Sequence, residues 1–353
     1  MKKDGSLDRV DKELLYWLDL NCRDGLASLA KKMRTTPAKI SYRMEQLVKL
    51  KAIHSFVTLI DYRKLGYRGY AAYFKLKEMS RKELYLLVEK ILDTPNVVDV
   101  LLTTGTYDLQ LVFLATSSDE ASEGLLDVRE KLGDSILEEV VIVNLRTHFF
   151  SRESFLEKNE QKPVLPRLVL DTPKTRIKLD KVDDAILSVI GKHAEWPLWK
   201  VAQAAKVAGP TVYNRIKKME KNGVIVGYTI KMDSNLKEFY FYRVLVKLRH
   251  ITQKRRRELL AYLDSHPRIY RSSFTFGQFD LNYDARVADD SELRELLGQV
   301  YEHFKNEVVR QDWVRVYEII KFSFYIKNIE LEEDKNKLKD KIDQKENKID
   351  RRE

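Results

Sequence analysis

A chain of 353 residues is long enough for two to four ordinary domains, and its 44% hydrophobic content can fill real cores. The single cysteine, Cys22, excludes an intrachain disulfide and a cysteine-based metal cluster, and the six histidines fall at no metal-ligand spacing, so no metal or cofactor is expected. The net charge of +10 permits a polyanionic partner. No apolar run approaches the roughly 20 residues of a membrane span, and the start, MKKDGSLDRVDKELL, lacks a signal-peptide core, so a cytoplasmic protein is expected.

The spacing predicts a first helix over 7–20, with Leu7, Val10, Leu14, Leu15 and Leu18 as its apolar stripe. Gly25 breaks the chain, Leu26 to Lys32 reads as a short second helix, and Met33-Arg34-Thr35 is a turn. The next helix starts at Thr36-Pro37 and runs past Leu50. Thr36 can accept hydrogen bonds from free N–H groups, and Pro37 lacks the N–H that would otherwise go unpaired. Ile40, Met44 and Leu47 share one face, and Ala38, Lys39, Tyr42, Glu45 and Gln46 the other. Three helices with a tight turn before the third make a helix-turn-helix, and His54 to Tyr62 has the composition of a strand.

From Gly66 the period changes to two. Strands are predicted over Tyr67–Lys77, Val97–Thr103, Leu109–Ala115 and Ile136–Arg146, and helices over Arg81–Leu92 and Ser118–Leu132. Gly105-Thr106-Tyr107-Asp108 is a turn. The order βαββαβ is ferredoxin-like, a four-stranded antiparallel sheet with both helices on one face. Residues 151–178 read as a linker with Pro163, Pro166 and Pro173, whose apolar run Val164–Leu170 is expected to pack as an edge strand.

Then the chain repeats at an offset of 172 residues. Leu179-Asp180 and Asp183 echo Leu7-Asp8 and Asp11. Val207–Ile225 echoes Thr35–Ile53, with Arg215 for Arg43, and Gly277 and Asp280 echo Gly105 and Asp108. The second half therefore predicts elements over Phe239–Arg249, Lys254–Leu263, Ile269–Phe276, Phe279–Val287, Asp290–Phe304 and Val308–Ile320. Asn328–Glu353 is nearly all charge, with a short heptad stripe of Leu331, Leu338, Ile342 and Ile349 that is expected to be a solvated helix or disordered.

The expected fold is α+β. A winged-type helix-turn-helix (1–64) and a ferredoxin-like domain (65–150) are joined by the linker (151–178) to second copies of each (179–236 and 237–321), with a charged tail (322–353). Residues 1–64 carry 14 Lys and Arg against 8 Asp and Glu, while 65–150 carry 9 against 14, the pattern of a binding head on a non-binding body.

The L-D-x-x-D start, the Thr36-Pro37 cap with Arg43, and the Gly-x-aromatic-Asp turns at Gly105–Asp108 and Gly277–Asp280 resemble the Lrp/AsnC family of bacterial and archaeal transcription regulators. The likeness covers about residues 7–150 and 179–321. It implies double-stranded DNA as partner, pairing of the βαββαβ domains into dimers and higher assemblies, and often an amino-acid effector near the Gly-x-aromatic-Asp turn. Family members usually carry one such unit. Two in one chain raise an intrachain pseudo-dimer beside an ordinary homo-oligomer. In the second copy Ala208-Gly209 replaces the capping pair, and in the first Lys51 stands where the second has Gly223.

Lys39, Tyr42, Arg43 and Gln46 are the candidate DNA contacts of the first copy, with Arg43 placed toward phosphate and the others toward the groove. Thr211, Asn214, Arg215 and Lys218 take their places in the second. Gly105, Thr106, Tyr107 and Asp108, with Gly277, Gln278, Phe279 and Asp280, are the effector candidates; capping the turn is the other role open to the aspartates. The run Lys254-Arg255-Arg256-Arg257 reads as a solvated helix start. The expected function is a DNA-binding transcription regulator and not an enzyme, with no catalytic residues. The alternatives are a scaffold that modulates related regulators, or an enzyme like the siroheme decarboxylases, which also pair two such units and use His and Arg in the cavity; Val97–Phe113 has no histidine.

Overall fold

The computed structural model describes residues 7–150, 155–156, 166–171, 175–232, 239–326, 335–336 and 338. In the first head, α1 (Arg9–Leu20), α2 (Leu26–Lys32) and α3 (Pro37–Lys49) lead into β1 (Ile53–Ile60). The first body follows: β2 (Arg68–Leu76), α4 (Arg81–Ile91), β3 (Val97–Gly105), β4 (Leu109–Ala115), α5 (Ser118–Leu132) and β5 (Ile136–Phe150). The linker contributes β6 (Pro166–Leu170), paired to Thr147–Phe150, where β5 continues beyond the expected Arg146. The second head is α6 (Lys181–Ile190), α7 (Leu198–Ala205), α8 (Gly209–Lys221) and β7 (Ile225–Met232). The second body is β8 (Tyr240–Leu248), α9 (Gln253–Ser265), β9 (Ile269–Gly277), β10 (Leu281–Val287), α10 (Asp290–His303) and β11 (Val308–Phe322).

Local chemistry sets the ends of these elements. Asp8 and Asp11 form a reciprocal capping box at the start of α1, and Asp180 and Asp183 repeat it at α6. The Thr36 side chain accepts from the Lys39 amide at the start of α3, whereas Ala208 gives α8 no side-chain cap. Lys51 and Gly223 are both left-handed after their helices, with φ of 60° and 67°, so the first head holds a lysine where the second uses glycine. The heptad stripe expected in the tail falls outside the described residues except Leu338, which is buried against the first body.

Within each body the strand order is β5-β2-β4-β3 or β11-β8-β10-β9. The two sheets then close on one another, because β3 pairs with β11 and β5 with β9. The result is an eight-stranded antiparallel barrel with α4, α5, α9 and α10 packed outside it. Outside the barrel, β1 pairs with β7 in a two-stranded ribbon that joins the heads. A pseudo-two-fold axis relates the halves. Val57 pairs with Thr229, its own equivalent at the 172 offset, and the seam pairs Gly105–Val314 and Ile142–Gly277 map onto each other at the same offset. The bodies therefore pair within one chain.

The Gly-x-aromatic-Asp turns make this closure. Gly105 has φ +116°, and a Cβ there would lie 2.7 Å from the Trp313 carbonyl oxygen; Gly277 has φ +135°, and its Cβ would lie 2.8 Å from that of Val141. The Thr106 N–H donates to the Trp313 carbonyl at 3.1 Å. Tyr107 and Phe279 are buried among the barrel's inner residues. Asp108 and Asp280 accept from the amides of Leu76 and Leu248, at 2.9 and 2.8 Å, which ties each turn to the end of the first strand of its own body. Because both backbone conformation and space require glycine at 105, Gly105→Ala should destabilise the fold by about 1–3 kcal/mol in urea unfolding followed by circular dichroism.

Candidate nucleic-acid interface and interior cavity

The third helix of each head presents its polar face to solvent. On α3, Lys39 and Tyr42 are exposed and Gln46 is half-buried, while Ile40 and Leu47 anchor the opposite face in the core. On α8, Asn214 and Lys218 are exposed, Thr211 is half-buried, and Val212, Ile216 and Met219 face inward. The structure adds two aromatics that the helical pattern did not single out. Tyr213 is 51% exposed on α8, and Trp199, on α7, is 67% exposed. For Trp199 the missed signal was a tryptophan at the start of a short, otherwise apolar helix.

The two matched arginines have other work. One Arg43 amino group, Nη1, reaches Asp8 at 2.8 Å and Asp11 at 2.6 Å, and Arg215 reaches Asp180 at 2.5 Å and Asp183 at 3.2 Å. Each arginine thus ties the recognition helix to the capping box of the first helix, 32 to 35 residues upstream. Burial alone would raise the Asp8 carboxyl, but hydrogen bonds, those from the Asp11 amide and the Arg43 guanidinium among them, outweigh it and hold Asp8 well below the usual carboxylate range. A lowered folded-state pKa stabilises above the ordinary carboxylate range and is lost as the pH falls. Arg43→Ala should therefore cost about 1–3 kcal/mol at neutral pH, and the cost should shrink progressively as the pH falls below the ordinary carboxylate range, measured by urea unfolding at a series of pH values.

Between the β1–β7 ribbon and the barrel lies a cavity of about 170 Å³. One wall is strongly polar. Arg243 forks onto Asp284 at 2.6 and 2.7 Å, and Arg271 contacts the same carboxylate at 2.7 Å and the Asn282 side-chain oxygen at 2.8 Å. Burial opposes the charge on Asp284, but the two guanidiniums prevail and hold its carboxyl far below the usual range. Asp99 also lines the cavity, and burial pushes its carboxyl up to about 6 against the pull of Lys231 and Arg243. The first-copy equivalents of Arg243, Arg271 and Asp284 are Ala71, Asp99 and Val112, so the cluster belongs to one half only. The break in the repeat was its sequence signal. Among the described residues, no group of His, Cys, Asp and Glu could hold a metal ion, and no helix is long and apolar enough to cross a membrane.

Two helix-turn-helix heads on paired βαββαβ bodies match the architecture that the Lrp/AsnC resemblance implied. The relatives agree. The chain is 33% identical over 125 residues to an HTH-type transcriptional regulator of Pyrococcus furiosus, which covers 35% of this chain and 81% of that one. It is 28% identical over 122 residues to the transcriptional regulator AzlB of Bacillus subtilis, covering 34% and 78%. No family model matches. The chain belongs to the HTH-type transcriptional regulators, in keeping with its Lrp/AsnC-like motifs. Across nearly its whole length it is also similar in fold to the siroheme decarboxylase NirDL, with a TM-score of 0.58 and 14% identity over 96% of this chain and 100% of that one. That likeness overturns the expectation that the chain is not an enzyme. The lack of a histidine in Val97–Phe113 had carried the exclusion, and in NirDL the same whole-chain architecture belongs to an enzyme.

Proposed function

We propose that the chain is a sequence-specific transcription regulator whose two unequal heads read two half-sites on one duplex. The observation that carries this reading is the pair of solvent-facing third helices set about one pseudo-two-fold axis by the β1–β7 ribbon. Lys39, Tyr42 and Gln46 on one head, and Thr211, Asn214 and Lys218 on the other, are the contacts. Their differing side chains call for an imperfect palindrome. Joining the heads covalently raises the effective concentration of the second contact once the first has formed. A small effector, such as an amino acid, acting at the Gly105–Asp108 or Gly277–Asp280 turns would work through the barrel seam, because those turns hold it.

Genomic binding-site selection with the purified chain should enrich a discrete set of sites. Gel shifts on a selected site should weaken steeply with salt, and Lys39→Ala and Lys218→Ala should each lower the log–log salt slope by about one unit. A retained slope would remove that residue from the interface, and no enrichment at all would favour the scaffold alternative.

A second reading is a decarboxylase like NirDL. Two observations favour it: the whole-chain likeness in fold and the interior cavity, where two arginines and a carboxylic acid of raised pKa share one small space. Anaerobic incubation with siroheme, followed by chromatography, decides it. Decarboxylated product that is lost in Arg271→Ala would establish this reading, and unchanged siroheme would remove it.

A further inference from the structure

A second cleft, of about 630 Å³, opens on the outer surface where the two halves meet. It is built from the start of β2, the middle of β5, the linker and the first turns of α9. Six arginines line it: Arg63, Arg68, Arg146, Arg176, Arg256 and Arg257. The single acidic side chain in the lining is Asp171, 3.1 Å from Arg146. Arg63 is only 6% exposed and donates to the Asn144 carbonyl at 2.9 Å, while Arg256 stacks 3.8 Å over the Phe274 ring. Arg176 lies against Gly66, whose φ is +96°. Among the described residues, Arg68, Arg176 and Arg257 have no carboxylate partner. Gathering six guanidiniums around one space costs Coulomb energy that a single carboxylate cannot offset.

The other half shows what this place looks like without that charge. At the 172 offset, Arg146 becomes Glu318, Arg68 becomes Tyr240, and Arg256 and Arg257 become Leu84 and Tyr85. There Glu318 accepts from Arg81 at 3.1 Å and from the Tyr85 hydroxyl at 2.7 Å, a closed and nearly neutral network. The fold therefore does not need a cluster of arginines at this seam, and only one side has one.

We propose that the arginine cleft binds one small ligand carrying at least two oxyanion groups, phosphate or carboxylate. Arginine suits this task because its planar fork meets either oxyanion with two parallel N–H bonds. The cleft volume falls in the range of small-molecule sites, and the amides at the start of α9 add to its attraction for anions. The proposal is independent of whether the heads bind DNA.

The test is calorimetric titration of the full-length protein with inorganic pyrophosphate and, separately, with citrate, which distinguishes phosphate from carboxylate ligands. At least one should bind with one anion per chain. Arg257→Glu should weaken that binding by about tenfold or more. Lys254→Glu makes the same change of charge on the same helix outside the cleft and should weaken it by about twofold or less. If thermal melting shows Arg257→Glu to be unfolded, Arg68→Glu replaces it. The proposal is overturned if neither anion binds, if both substitutions have equal effects, or if Arg257→Glu lowers DNA affinity while neither anion binds.

Discussion

The reciprocal pairing of β3 with β11 and of β5 with β9 is the constraint on which the rest of the molecule depends. A ferredoxin-like sheet has two edges, and each edge leaves a row of N–H and C=O groups without partners. Here the edge of each half is satisfied by the other, and the barrel has no free edge between them. The turns at Gly105 and Gly277 lie at the crossing points. Glycine there lets the main chain approach to a distance that any Cβ would forbid. The heads, their ribbon and both cavities are held relative to one another by this closure.

The same closure explains how the two halves could diverge without separating. A homodimer must use one sequence on both sides of its axis. This chain does not, and its asymmetries fall at positions that the 172-residue offset makes equivalent. Asp99 and Arg271 are equivalent positions of opposite charge beside one cavity. Arg146 and Glu318 are equivalent positions of opposite charge at the two outer seams. The backbone repeats while the chemistry does not.

Much of the fold was legible in the sequence because the 172-residue offset lets each half check the other. The elements fall within a few residues of expectation, and the longer β5 and β11 differ because their ends pair with strands of the opposite half or the linker. Which edges would meet was not legible, since hydrophobic alternation marks the faces of a strand and not its neighbours. Of the candidate site, the exposed face of the third helix was legible from its spacing. The role of Arg43 was not: the L-D-x-x-D start and the arginine are both visible, but only folding brings them within 3 Å. The polar cavity was missed because Arg243, Arg271 and Asp284 sit in strands where charged residues ordinarily mark the solvent side.

The axis through Val57 and Thr229 also has a consequence for direction. A homodimer on a symmetric site looks the same from upstream and downstream. Two different heads fixed about one axis do not, so on any duplex that tells α3 from α8 the chain has a front and a back. Whatever lies on the side of the arginine cleft then faces one flank of the site and never the other.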